Sequence, residues 1–358
     1  MLKVNIFNKF EDTLIKIWSE FEKKNNVNFY SSLYWLQRCC DFFENHKIII
    51  AVVYNGDRVI MILPLQIKVK YHLKFLEWIG DEAVDFMGPI IDYKTYINKS
   101  FFNQIWNTVL QKIEKIDIIL LYKQLEFLNN YKNPFVFYLK NSFKENIYIN
   151  NIDKNWADYY REIVNKKSKY NINSSFKKLE LSNINFSLDN ISVDPIDIIN
   201  FIWVNKFPYF YKKKVYSVNI LKNFYISILK EVNFFKKINC ELSLNIIYRD
   251  RKIIAANLGI INNNNFYYLL NSYDNNSPLS KYSPGILLLI KTLEKAYKKG
   301  NKQFNFGLGD ELYKKKWSTK MANVNTYIYF RSLFGFFFFF FYYIKKNYFF
   351  NFLSKLFR

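Results

Sequence analysis

Histidine is almost missing from this sequence. Only His46 and His72 occur in 358 residues. No residue near the second half can complete a Ser-His-Asp triad or an HExxH zinc site, which excludes histidine-dependent hydrolases there. Cysteine is nearly as scarce, with Cys39, Cys40 and Cys240. Neighbours such as Cys39 and Cys40 do not bridge each other, and no CxxC pair exists. A disulfide framework and a structural zinc site are therefore excluded, no metal is expected, and the thiols read as buried groups of a reducing compartment. Arginine is limited to seven residues against forty-five lysines. That skew, with abundant Phe, Ile, Tyr and Asn, looks like AT-rich coding. It discounts the net charge of +22 as a sign of nucleic-acid binding. An anionic ligand or surface remains the better partner. No apolar run reaches the roughly twenty residues of a spanning helix. The opening "MLKVNIFNKFEDTLIKIW" is broken by Asn, Lys, Glu and Asp and does not read as a signal peptide, so a cytoplasmic chain is expected.

What is present is a large hydrophobic fraction, 50% of the residues, enough for two domain cores. Two halves share one layout. In the first, Lys47 to Tyr54 reads as a buried strand, Asn55 to Arg58 as a tight turn, and Val59 to Val69 as the returning strand. Leu73 to Gly80 is a third strand, Asn98 to Lys115 a helix, and Ile116 to Tyr122 a fourth strand. In the second, Cys240 to Tyr248, Ile253 to Ile261 and Phe266 to Tyr273 are strands, Pro284 to Lys299 is a helix, and Gln303 to Phe306 is a strand. Helices are expected over 156–181, 195–207 and 218–235. Repetition of this mixed unit predicts an α/β (α+β, mixed-sheet) fold of two tandem domains, residues 1–150 and 151–330, joined by a polar passage from Asn146 to Trp156. Residues 331–358 form an aromatic and basic tail. It contains Leu333 to Ile344, six consecutive Phe among them, which packs on the domain or lies in a membrane interface.

The densest stretch of signals runs from Tyr273 to Trp317. Ser283 suits an N-cap, Pro284 the first helical position, and Gly285 follows; Gly300 closes the helix. A helix start after a strand and loop presents free N–H groups, which suits an anion. Ser280, Lys281, Tyr282 and Ser283 stand beside it. Plain capping explains the same residues. Past the next strand come Gly309, Asp310, Tyr313 and Lys314. Asp310 can accept a proton, Tyr313 can protonate a leaving group, and Lys314 can polarise a carbonyl; a turn, a packing ring and a solvated charge are the ordinary alternatives. Lys166, Lys167, Lys169, Lys177 and Lys178 form a charge run that is either solvated or turned toward an anionic substrate. Asp81, Glu82 and Asp85 occupy the first half's counterpart of the Ser-Pro-Gly loop and would repel phosphate there.

Taken together, "YDNNSPLSKYSPG" and "FNFGLGDELYKKKW" resemble the CelD-like group of GNAT N-acyltransferases, named for cellulose-biosynthesis clusters and related to the Fem peptidyltransferases. The resemblance extends over roughly residues 25 to 330, with Trp35 at its early Trp position. It implies two GNAT-like domains, the second binding acetyl-CoA or another acyl-CoA at Ser280, Lys281, Tyr282, Ser283, Pro284 and Gly285. It implies Asp310, Tyr313 and Lys314 as catalytic residues and Tyr273, Asp274 and Asn305 as substrate-binding ones. The family's Asp in its Phe-Asp-Phe strand is Asn305 here. The implied reaction is acyl transfer to the amine of an amino sugar or other cell-envelope or polysaccharide precursor, small or lipid-linked, at the inner face of a bacterial membrane. The alternatives are a Fem-like enzyme using aminoacyl-tRNA, though no long helical-hairpin insertion is evident, and a non-catalytic scaffold of polysaccharide assembly.

Overall fold

The computed structural model describes residues 1–43, 46–189, 193–206 and 211–339. The chain forms two compact units. The first comprises Met1–Val27, Phe43–Lys144 and the chain from Val324; the second comprises Asn28–Phe42 and Glu145–Asn323.

In the first unit the strands pair in the order Leu2–Phe7, His46–Asn55, Arg58–Lys70, Leu73–Trp78, Ile118–Leu125 and the Val324–Phe330 end of the last strand. All neighbours are antiparallel except Leu73–Trp78 and Ile118–Leu125, which run parallel through Phe75 with Ile118 and Leu76 with Ile119. The parallel step requires a crossover, and the Lys99–Lys112 helix supplies it. In the second unit the order is Asn185–Leu188, Cys240–Arg249, Lys252–Asn262, Asn265–Tyr273, Gln303–Leu308 and Phe143–Asn151. Its one parallel pair is Asn265–Tyr273 with Gln303–Leu308, linked by the Pro284–Lys298 helix. The two halves therefore repeat one six-strand order. This bears out the α/β reading.

The contiguous boundary near Asn150 needs correction. Residues 146–151 are not a linker but part of a strand whose Ile149, Asn150 and Asn151 pair with Asn305, Phe304 and Gln303. Each unit's sixth strand follows the other unit's fifth in sequence. The Asn28–Phe42 segment also belongs to the second unit, where Trp35 is fully buried against Phe29 and Phe224. The expected 156–181 helix is two helices, Trp156–Ile163 and Lys166–Glu180, because the Asn165 side chain caps the second by accepting from Ser168 N. Residue 207, the end of the expected 195–207 helix, lies outside the described residues; the helix runs Pro195–Lys206. The 218–235 helix begins earlier and spans Tyr211–Lys230.

The second unit's core explains the position of its central helix. Leu287, Leu288, Leu289, Ile290, Leu293 and Ala296 are buried on the sheet. Among these apolar contacts lies a closed polar chain. Lys295 Nζ donates to Asp189, Ser243 and Asn245, each at 2.7 Å. Asn245 Nδ2 donates to Asn257 Oδ1 at 2.7 Å, and Asn257 Nδ2 to Thr292 Oγ1 at 2.9 Å. Asn245, Asn257 and Thr292 are fully buried. Dispersion alone lets a helix slide; a satisfied buried network fixes one register. Replacing Asn257 by Leu leaves Asn245 Nδ2 and the Thr292 hydroxyl short of a partner. The expected loss, read by denaturant unfolding, is about 1–3 kcal/mol.

Candidate functional site

Parallel pairing of Asn265–Tyr273 with Gln303–Leu308 covers three register pairs only, Asn265 with Gln303, Phe266 with Phe304 and Tyr267 with Asn305. The Phe266 and Phe304 rings stack at 4.6 Å and close this end. Beyond it no register joins residues 268–273 to residues 306–308. Open α/β sheets bind ligands at the carboxyl ends of their strands, where unpaired backbone groups face a crevice.

Local sequence causes the split. Asn305 Oδ1 accepts from Gly307 N at 2.8 Å, and Gly307 takes φ +72°. This side-chain turn bulges the strand between Asn305 and Leu308 and ends its regular pairing. Asn305 is buried and engaged in this turn, so its expected substrate contact becomes a strand-shaping role. A carboxylate oxygen accepts the same bond, so the departure from Asp preserves this geometry.

The Pro284–Lys298 helix begins at the open side. Ser283 occupies the N-cap position in the left-handed region at φ 53°, and no side chain caps the helix. The expected Ser283 side-chain cap is thus corrected: its carbonyl receives Ile286 N and Leu287 N, while its hydroxyl stays out. Pro284 has no N–H and Ile286 and Leu287 are bonded to Ser283, so among the first four positions of this fifteen-residue helix Gly285 N is left, with the positive dipole end, for an anion. Lys281 Nζ lies 5.2 Å and Lys178 Nζ 5.5 Å from the Tyr282 ring centre, so two ammonium groups flank this corner. Of the central lysine run, Lys178 is the one that an aromatic contact ties here. Ser280–Tyr282 is a single 3-10 turn, with Ser280 N bonded to Ser277 O and Ser283 N to Ser280 O. Gly285 approaches Tyr273: an added Cβ would stand 3.1 Å from Cδ1 of that ring. Asp274 accepts from Asn276 N at 2.9 Å and lies 3.9 Å from Lys252, which makes it a turn residue. The residues fit a polyphosphate-bearing cofactor: an uncapped helix start, two flanking cations and a glycine at the close approach.

Across the opening, Asp310 Oδ1 accepts from the Tyr148 hydroxyl at 2.8 Å and from Asn146 Nδ2 at 3.1 Å. These bonds, Tyr148's first, hold the exposed Asp310 carboxyl below its ordinary range. Burial, then the Asp310 carboxylate, raises the Tyr148 phenol. The Tyr313 phenol is pushed far up, chiefly by burial and then by Glu311, so it stays protonated. Its ring lies 6.4 Å from Phe306. Lys314 is different from expectation. It is buried, bonded to the Leu308 carbonyl and 3.0 Å from Glu311, which commits it to the 308–311 turn rather than to a carbonyl in the crevice. Gly309, at φ +115°, permits that clamp: a Cβ would stand 2.3 Å from Glu311 Oε2 and 3.1 Å from Lys314 Nζ. Gly309→Ala should therefore strain the turn by about 1 kcal/mol or more, read as a lowered melting temperature.

Tyr148 and Asn146 escape sequence reasoning because they sit on the strand misread as a linker. The alternation of Ile147 and Ile149 with Asn146, Tyr148 and Asn150 was the available signal. Among the described residues no group of three His, Cys, Asp or Glu is placed to hold a metal. Cys39 is buried, and Cys40 and Cys240 are half-buried; none of the three forms a disulfide.

Comparisons with known proteins bear on the domain type and the fold. Residues 239–315 match the family model described as an acetyltransferase (GNAT) domain. No curated protein matches the sequence. Among solved structures, FemX is similar at TM-score 0.58 and 12% identity, over 90% of this chain and 96% of that one. A tandem GNAT protein from the clavulanic acid biosynthesis pathway is similar at TM-score 0.52 and 8% identity, over 93% and 99% of the two chains. L-PGS from Bacillus licheniformis is similar at TM-score 0.51 and 11% identity, over 89% and 93%. At such identities the likeness is one of fold. Residues 239–315 of the second unit thus carry a match to a GNAT acetyltransferase domain, the domain type of acyltransferases, in a chain whose fold is similar to that of a tandem GNAT protein.

Proposed function

We propose that the chain transfers an acyl group, acetyl foremost, from acyl-CoA to an amine of an amino sugar or related cell-envelope or polysaccharide precursor, in the manner of the CelD-like bacterial enzymes it resembles. The observation that carries the reading is the crevice where Asn265–Tyr273 and Gln303–Leu308 part, with the uncapped Pro284–Lys298 helix at its side. Acyl-CoA supplies an activated thioester when bound. The helix start, Lys281 and Lys178 would hold its phosphates. Residues 268–273 would offer backbone groups to the extended arm.

Asp310 remains ionised at neutral pH and anchors the incoming ammonium; the amine's proton leaves through water bound at that carboxylate. Tyr313 remains protonated and can donate to the departing thiolate. Asn305 keeps an acceptor at its turn whether amide or acid, which favours a working enzyme over the scaffold reading.

The first unit is proposed as the partner that binds no cofactor. Its corresponding parallel strands are bridged: Met87 N donates to Lys123 O at 2.9 Å, and Lys123 Nζ donates to the Asp81 and Val84 carbonyls at 3.1 and 2.6 Å. Ala83, Val84, Phe86 and Met87 are buried there. Asp81 of the acidic loop is paired with Lys68. Aminoacyl-tRNA is the alternative donor; the net charge of +22, discounted above as coding skew, would suit it. The proposed place of work is cytoplasmic, at the inner face of a membrane.

Saturation with acetyl-CoA or CoA at a hundred times Kd should stabilise the protein by about 2.7 kcal/mol. The shift should vanish in Gly285→Asp and in a Lys178→Glu/Lys281→Glu double variant, which leaves the Tyr273 contact intact. No shift in folded wild type, with salt-sensitive binding of aminoacyl-tRNA, would favour the tRNA-dependent reading. With an acceptor in hand, the acid limb of kcat/KM should lie below the ordinary Asp value of about 4. Tyr148→Phe removes the principal bond lowering Asp310, so it should move that limb upward.

A further inference from the structure

We propose that the surface formed by residues 333–339 and the Tyr71 hairpin tip of the first unit docks on an anionic lipid bilayer. Residues 333–339 are helical. Burial divides their side chains: Gly335 is buried and Phe338 and Phe339 are half-buried, while Leu333, Phe334, Phe336 and Phe337 are exposed. The inward side is packed: Phe338 and Phe339 lie against the cluster of Leu73, Phe75 and Ile118. Gly335 lets the helix sit directly on the sheet, since a Cβ there would stand 3.0 Å from both Asp117 O and Ile118 Cγ1. The helix is also fixed at its start: Arg331 N donates to Asp117 O at 2.8 Å, and Gly335 N to Ser332 Oγ at 3.0 Å.

The outward side carries the opposite pattern. Leu333 is 80% exposed, Phe334 66% and Phe337 53%. Tyr71, 67% exposed, extends the patch, its ring 5.1 Å from Phe338. Tyr71 and His72 reach this position by taking positive φ at the tip of the Arg58–Lys70 and Leu73–Trp78 hairpin. A helix held by one apolar side while presenting three large apolar groups on the other is not built for water.

Charge selects the occupant. From Arg331 to Arg358 the sequence has Arg331, Lys345, Lys346, Lys355 and Arg358 and no Asp or Glu. Residues 340–358, which include most of the tail expected to meet a membrane, lie outside the described residues. A tail sequence that joins large apolar side chains to cations, with no acidic residue from 331 to 358, matches the boundary of acyl chains and anionic headgroups. Among the described residues no helix is long and apolar enough to cross a membrane. The contact would bring the chain to a lipid-linked acceptor, but it stands apart from the identity of the acyl donor.

The test is flotation of the full chain with vesicles of phosphatidylcholine alone or with one-third phosphatidylglycerol, together with sedimentation and melting. Wild type should float with the anionic vesicles and much less with the neutral ones. The Leu333→Ser/Phe334→Ser/Phe337→Ser variant should bind them roughly tenfold less, with unchanged melting and an unchanged response to CoA. Phe338→Ser, on the packed side, should instead lower the melting temperature. Wild type that stays at the bottom, or a triple variant that floats equally, overturns the proposal. So does a concentration-dependent dimer that the triple variant abolishes without any flotation, because the patch would then join two copies.

Discussion

The second unit depends on how far its two parallel strands remain together. Phe266 and Phe304 stack at the closed end, and each contributes burial of about 1.5–3 kcal/mol. Beyond Tyr267 and Asn305 the pairing stops. Had it continued, the sheet would be more stable locally and would have no crevice. The chain gives up ladder hydrogen bonds there, and water or a ligand with its own polar groups takes their place. Stability at one end and chemistry at the other are thus two ends of the same strand pair.

That division also explains the neighbouring residues. The Asn305 turn ends the pairing, Gly309 allows the next turn, and the Lys314–Glu311 clamp holds it. The result places Asp310 beside Tyr148 and Asn146. On the other side, the buried chain from Lys295 through Asn245 and Asn257 to Thr292 fixes the helix whose start faces the opening. Asn245, Asn257 and Thr292 are buried to fix helix register, while the Asp310 carboxylate at the opening is exposed to solvent.

The first unit shows the same topology with the opposite outcome. Its corresponding strands are bridged through Met87 and Lys123, and apolar residues of the 83–87 loop fill the interior. Its acidic group Asp81 is neutralised by Lys68. One repeated topology can therefore carry a crevice or a filled core, and loop residues decide which.

The sequence alone determined the repeated strand and helix order, because apolar runs, Asn-Gly turns and glycine helix stops act over a few residues. It also marked the Ser-Pro-Gly corner and the Asp310–Tyr313 region. Tertiary structure decided what those residues do. The sixth strand of each unit comes from a distant part of the chain, so 146–151 looked like a linker until its pairing with 303–305 was formed. Tyr148 could not be assigned to Asp310, 162 residues away, from local spacing. Lys314 read as a free cation because spacing records charge but not the carbonyl that binds it. Local preferences are written in neighbouring residues, whereas burial, partner choice and an open crevice exist only after distant strands have paired.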